Sequence, residues 1–400
     1  MRPRRAILIG APIILLVAVW VISGVDRADV VAERVFPEEA IARADAYRAP
    51  LHRAFALRVA LDLGLLASLA FTGAGAWLGR LRGPRWVRGA ILAIAAIVVL
   101  RVLVRLPVSF WAGYLHEHEW GFSTQTVWGW LSDVGRSVAV SLAVSIPAYA
   151  AAVWVVRRFP RRWPALLAPA TAALVLSASF VWPVVVEPLF NRFEPLRGPA
   201  AERFESLADR AGLPIEGVLV ADASRRTRKE NAYVSGFGDT KRLVLYDTLL
   251  RSAPLEEVEV VVAHELGHRR GGHVLWGTLI GAVGAAGVLV LLWLLARRGA
   301  AAEATGASGV ADPRMLPALL LAIALLNLAA LPPANLVSRA FEKEADRYAL
   351  SLTGDPEVYA ATQRGLALRN LSDLDPGPVA YRFLFTHPPA PERISYATGP

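Results

Sequence analysis

Seven stretches of this chain are long and apolar enough to cross a hydrocarbon layer of about 30 Å, which takes roughly 20 helical residues. They run Ala6–Gly24, Leu57–Leu78, Ala90–Leu106, Ser137–Val156, Pro164–Val186, Val274–Ala296 and Met315–Ala334. Nothing else constrains the fold as strongly. Inside a bilayer each backbone amide must be satisfied within its own helix or a closed barrel. The expected architecture is a predominantly α-helical integral membrane protein with about seven transmembrane helices. Pro107 is expected to kink the third span, which can then reach Leu115. Arg58 and Asp62 lie four residues apart on one face of the second span and read as a mutually paired couple. Met1–Arg5 ahead of Ala6–Gly24 resembles a signal peptide, but no small-x-small cleavage site follows, so an uncleaved anchor is expected.

Of 400 residues, 55% are hydrophobic and 19% charged. Soluble domains carry about a quarter charged residues, and so low a charge content excludes disorder. The absence of cysteine excludes disulfides, thiolate metal sites and a cysteine nucleophile. A net charge of +9 invites a nucleic-acid reading, but its placement argues against one. Arg2, Arg4 and Arg5, then Arg80, Arg82, Arg85 and Arg88, then Arg157, Arg158, Arg161 and Arg162, then Arg297, Arg298 and Arg314 all sit in short loops beside spans. The alternate loops, Val25–Arg53 and Glu117–Arg136, are slightly acidic. This is the positive-inside pattern. No basic stripe with interleaved aromatics lies elsewhere, so no nucleic-acid partner is expected. The pattern puts the N-terminus in the cytoplasm and the large polar segments on the other side. The excess of arginine over lysine suggests a GC-rich bacterial genome and hence a multi-pass protein of the cell membrane.

Four regions follow: residues 1–186 with five spans, 187–273 of mixed structure, 274–334 with two spans, and 335–400 as a helical C-terminal region. Within the second, Ala200–Ala211 reads as a helix and Gly217–Asp222 as a strand. Ala232–Ser235 and Arg242–Tyr246 read as strands joined through a Gly-Phe-Gly turn. Ser252 is placed to cap a helix with Pro254, Glu256 and Glu257 in its first turn. Arg225, Arg226, Arg228 and Lys229 make a basic run before the first of these strands, read as a solvated loop or as a contact for substrate or anionic lipid.

That helix carries His264-Glu265-Leu266-Gly267-His268. Residues four apart return to within about 40° of the same direction, so both imidazoles can reach one metal ion. Glu265 stands beside the first of them, where a carboxylate can take a proton from an activated water. Catalytic zinc takes three protein ligands and keeps one position open. Among seven histidines, His273 lies off the ligand face and is expected to have a structural or interface role. The better third ligand is Glu342, with Asp346 one turn further on the same face, where it can orient a ligating histidine through its other ring nitrogen. Two histidines and a glutamate favour one Zn2+ per chain.

The chain resembles the type I CAAX prenyl endopeptidases, seven-span membrane zinc metalloproteases. The resemblance spans nearly the whole sequence. It takes in His118-Glu119-Trp120-Gly121-Phe122-Ser123 with Gln125-Thr126, and Glu187-Pro188-Leu189-Phe190-Asn191-Arg192-Phe193. It continues through Asn231-Ala232-Tyr233, Arg242 to Leu250, the histidine motif with Gly272-His273, Ser338-Arg339 with Glu342 and Asp346, and His387-Pro388-Pro389 with Glu392-Arg393. It implies a ring of helices around a chamber, with a gluzincin-like zinc domain carrying a small β-sheet at one mouth. It implies zinc on His264, His268 and Glu342, and Glu265 as general base. It also implies a substrate-binding edge strand over Asn231, Ala232, Tyr233, Val234, Ser235 and Gly236. His387 and Arg393 match positions near the zinc that support an oxyanion or a substrate carboxylate. The implied partners are membrane lipid and a peptide or protein substrate, prenylated or otherwise membrane-associated. Eukaryotic members present the zinc site to the cytosol, whereas the arginine pattern here points the other way, so the sequence leaves the side open. The rival reading is a non-catalytic seven-span transporter or scaffold with structural zinc, although a structural site normally closes with a fourth protein ligand.

Overall fold

The computed structural model describes residues 30–213, 215, 217–235, 242–297 and 299–398. The first apolar stretch, the arginines before it and Gly236 lie outside these residues. Among the described residues six helices are long and apolar enough to cross a membrane: Glu38–Phe71, Trp86–Glu119, Val127–Arg158, Trp163–Leu189, His273–Ala296 and Pro313–Thr353. They contain five of the six remaining stretches whole; the second, Leu57–Leu78, leaves its helix at Phe71 and ends within the 3-10 helix Gly73–Leu81. Leu103, Trp276, Val283 and Leu295 point outward from them and are exposed, a surface that is favourable only against lipid.

The helices outrun the apolar segments that announce them. Pro107 lies inside the helix Trp86–Phe110, which passes through one π-helical turn, Trp111–Leu115, before it ends. The second span begins far earlier than its apolar core, at Glu38. Asp62 does not pair with Arg58. Arg101, on the neighbouring helix, takes it with two hydrogen bonds of 2.8 and 2.7 Å. Arg58 meets no carboxylate among the described residues. A guanidinium on a facing helix can present its planar fork to both carboxylate oxygens, and this two-point geometry displaces the local pairing.

The seventh span does not stop at Ala334. A single helix runs from Leu316 to Thr353, through Pro332 and Pro333, and carries both Glu342 and Asp346.

The polar region between the fifth and sixth spans holds a four-stranded sheet in the order β1-β2-β4-β3: Phe193–Pro195, Val218–Ala221, Arg242–Tyr246 and Ala232–Ser235. β2 and β4 are parallel, and β3 pairs antiparallel to β4 with Val234 opposite Leu243. β3 is therefore an edge strand. The helices Pro199–Arg210 and Leu255–Gly271 pack on the sheet, burying Phe204, Leu207, Val218, Leu245, Val258 and Val262 together. Ser252 is not the cap of the second helix. It closes the preceding short helix, Asp247–Ser252, and donates to Glu230 Oε1 and Thr248 O, while Pro254 precedes Leu255. Pro254 fits there because the first helical amides have no intrahelical acceptor.

The basic run before β3 is largely occupied. Lys229 Nζ lies 2.6 Å from Glu117 and donates to Tyr47 Oη. Arg225 bonds the carbonyl of Phe190 and Arg226 the side chain of Asn191. These contacts tie the start of β3 to the membrane helices.

Candidate active site

The helix Leu255–Gly271 presents His264, Glu265 and His268, and the long helix brings Glu342 and Asp346 across to it. Gly267 makes this approach possible: a Cβ there would lie 2.9 Å from Ala345 Cα and 3.0 Å from its carbonyl oxygen. Two backbones this close leave the facing side chains short spans to cross.

The donors converge. His264 Nε2 and His268 Nε2 are 3.1 Å apart, and they lie 3.2 and 3.3 Å from the two Glu342 carboxylate oxygens. Glu342 Oε2 is buried without a hydrogen-bond partner. Each imidazole is held from behind. His264 Nδ1 lies 2.9 Å from Asp346 Oδ1, and His268 Nδ1 lies 2.9 Å from His273 Nδ1. With the Nδ1 protons turned outward, both Nε2 lone pairs and a carboxylate face one point, which is the arrangement a cation requires. Burial opposes a charge on His264, but the Asp346 carboxylate hydrogen-bonded to the ring and the nearby Glu342 carboxylate outweigh it and push the ring up to about 10. The cluster is built around positive charge. A metal ion held there would supply that charge and displace the proton.

Glu265 is buried beside His264. Its Oε2 accepts a 3.1 Å hydrogen bond from the Val234 amide of the edge strand. Burial pushes its carboxyl above the ordinary range, against the pull of the two histidines.

Arg393, on the helix Ala390–Thr398, stands behind Asp346 and also borders the cavity at the site. Its Nε and Nη2 grip the two Asp346 oxygens at 2.9 and 2.6 Å, and Nη2 stands 3.5 Å from His264 Nδ1. His387 is more open. Its Nε2 is 3.2 Å from Glu342 Oε1, and Thr386 Oγ1 contacts its Nδ1 at 2.8 Å. A cavity of about 550 Å³ opens here, lined by Asn231, Ala232, His264, Glu265 and His387 together with Arg48, His52 and Phe55. Within the predicted strand Asn231–Gly236, Asn231 and Ala232 line this cavity, Tyr233 hydrogen-bonds Glu187 at 3.4 Å, and Val234 reaches Glu265.

Two side chains behind the site make contacts that the sequence does not show. His273 begins the next helix after Gly272, whose left-handed backbone (φ 63°) resets the helical phase. Its ring stacks on Phe341 at 4.3 Å, fills the space left by the missing side chain of Gly271, and meets His268. Arg339 is fully buried. It bonds the carbonyls of Tyr381 and Phe385 at 3.2 and 2.9 Å and so fixes the segment leading to His387. The Ser338-Arg339 pair, one turn before Glu342, is its only trace in the sequence.

Comparison with known proteins agrees with this geometry. Residues 198–400 match peptidase family M48, and residues 26–192 match the CAAX prenyl protease N-terminal region of five membrane helices. The chain is 33% identical over 313 residues to the uncharacterized metalloprotease YhfN of Bacillus subtilis, covering 76% of this chain and 72% of that protein. It is 28% identical over 314 residues to CAAX prenyl protease 1 of Saccharomyces cerevisiae, covering 74% and 69% respectively. The crystal structure of S. mikatae Ste24p shares its fold, with a TM-score of 0.79 at 23% identity over 96% of this chain and 97% of that one. The chain belongs to peptidase family M48 and is an integral, multi-pass membrane metalloprotease.

Proposed function

We propose that this chain is a zinc endopeptidase that cleaves extended, membrane-associated peptides at a site formed by His264, His268 and Glu342. The observation that carries the reading is the convergence of two imidazole lone pairs and a partnerless carboxylate oxygen beside Glu265, at the end of an open edge strand. Zinc held by these donors would supply Lewis-acid polarisation of the scissile carbonyl and acidification of water. Glu265 is assigned the proton: it accepts it from the attacking water and returns it to the departing amine nitrogen. Its buried setting and raised affinity for a proton support that role.

The edge of β3 that no strand covers, where the Val234 amide meets Glu265, supports substrate binding by strand addition over Asn231–Gly236. Main-chain hydrogen bonds made there do not read side chains, so varied sequences are accepted. His387, at the rim of the cavity, is assigned to the charge that develops on the carbonyl oxygen. Arg393 is read as a positioning residue, because two of its three guanidinium nitrogens, Nε and Nη2, are committed to Asp346. Several relatives are named CAAX prenyl protease 1 or its homologue, which supports including a prenylated peptide among the substrates to try.

The test is cleavage of matched farnesylated and unmodified peptides by the purified protein in detergent, with Glu265→Gln as control. Cleavage abolished by the substitution with zinc retained is the expected result. Cleavage of neither peptide, or full activity in Glu265→Gln, would sink the reading and favour a non-catalytic metal site.

A further inference from the structure

We propose that the charged cavity inside the membrane domain is an anion subsite, in which Arg58 and Arg105 receive the C-terminal carboxylate of the peptide being cleaved. The proposal rests on the protease reading above. The cavity, of about 680 Å³, lies among the second, third, fourth and seventh spans and is lined by apolar side chains together with Arg58, Asp62, Arg105 and Asp133. Its charges do not balance. Arg101 holds Asp62 at two points, and Arg105, bonded to the Arg101 carbonyl at 2.9 Å, stands 3.7 Å from the same carboxylate. Arg58 has no acidic partner among the described residues. Asp133, the other acid on the wall, is taken by Gln125 at 2.7 Å, Arg136 at 2.9 Å and Arg226 at 3.6 Å. Two guanidinium groups thus share one carboxylate, and a third, Arg58, has none, among membrane helices where uncompensated charge is costly. A bound anion removes that cost.

Topology says which anion. Phe55 is a wall of both this cavity and the catalytic one. The catalytic cavity sits at Asn231 and Ala232, where β3 begins. A peptide added antiparallel to β3 runs in its own C-terminal direction toward that beginning. The residues beyond the scissile bond are therefore aimed past Asn231 at Phe55. Arg58 lies on the same face of the helix, less than one turn further along. A peptide tail brings apolar side chains for Val59, Leu63 and Leu328 and ends in the carboxylate that the arginines lack.

The experiment compares two peptides that differ only in ending as a free acid or a carboxamide, using the full-length protein in detergent. The expected result is a kcat/KM at least fivefold higher for the acid, carried by KM. That ratio falls to near one in Arg58→Gln and in Arg105→Gln, and Arg58→Lys keeps part of it. Equal cleavage of acid and amide by the unaltered protein overturns the proposal, as does an acid preference that survives both glutamine substitutions. Binding is read separately, as the rise in unfolding temperature that each peptide gives the Glu265→Gln protein. A larger rise with the acid, lost when Arg58→Gln is added, supports the subsite even where no cleavage occurs; the protease reading then fails alone. Equal rises with both peptides overturn the subsite.

Discussion

Asp346 Oδ1 lies 2.9 Å from His264 Nδ1, on the side of the ring that faces away from His268 and Glu342. Because Arg393 pins the same carboxylate at two points, the imidazole is held with its other nitrogen aimed at the donor cluster. Removing such a carboxylate typically costs 10- to 100-fold in metal affinity. Asp346→Asn is therefore expected to lose zinc to a chelator about 10- to 100-fold more readily, and Arg393→Gln to move the same way by less. Unchanged zinc retention in Asp346→Asn would show that the pair is merely packed there.

His268 is supported by His273 instead of a carboxylate, at 2.9 Å between Nδ1 atoms. His273→Phe preserves an aromatic ring against Phe341 but removes the nitrogen. The expected outcome is roughly tenfold weaker zinc binding with a near-normal unfolding temperature, checked by chelator competition beside a thermal melt.

Gly267 stands where a side chain would meet the backbone of Ala345. Gly267→Ala is expected to push the two ligand-bearing helices apart, at a cost of about 1–3 kcal/mol. Thermal unfolding reads the stability, and metal content reads the displacement of Glu342. A variant with native stability and full metal content would contradict the close approach.

Asp373 sits in the wall of the catalytic cavity, and its carboxyl is pushed up to about 6, first by burial and then by the charge of Asp45. A carboxyl that holds its proton more tightly folded than unfolded favours the native state at low pH. That advantage is lost as pH rises from about 4 through about 6, after which both states are ionised and the native one carries the penalty. The loss is on the order of 2 kcal/mol. Asp373→Asn should remove it, so the difference in unfolding temperature between variant and parent should grow in the variant's favour from pH 4 to pH 7. A constant difference across that range would contradict the assignment.

The spans and the donor residues are legible because each is a local pattern. Apolar runs mark helices in lipid, and four-residue spacing marks a shared helical face. What escapes is the meeting of segments far apart in the chain. Arg58 and Asp62 satisfy the local rule, yet Arg101 wins the carboxylate from another helix. The seventh span reads as ending at Ala334 because the apolar run stops there, yet the helix continues to Thr353 and carries Pro332 and Pro333 inside it. His273 lies off the ligand face, but its contact with the His268 ring is not legible, because counting along an ideal helix from His268 ignores the turn that Gly272 makes. The role of Arg339 depends on carbonyls more than 40 residues away.

The unbroken helix from Leu316 to Thr353 has a consequence for how this enzyme is put together. Its first half is a span, and its second half carries Glu342. The two histidines, likewise, are separated from the sixth span by little more than Gly272. No cut in the chain releases a catalytic cassette: a soluble fragment that keeps the histidines loses the glutamate, or drags a span with it. The donor cluster is a clasp between two membrane segments, and this hydrolase has no form independent of its anchor.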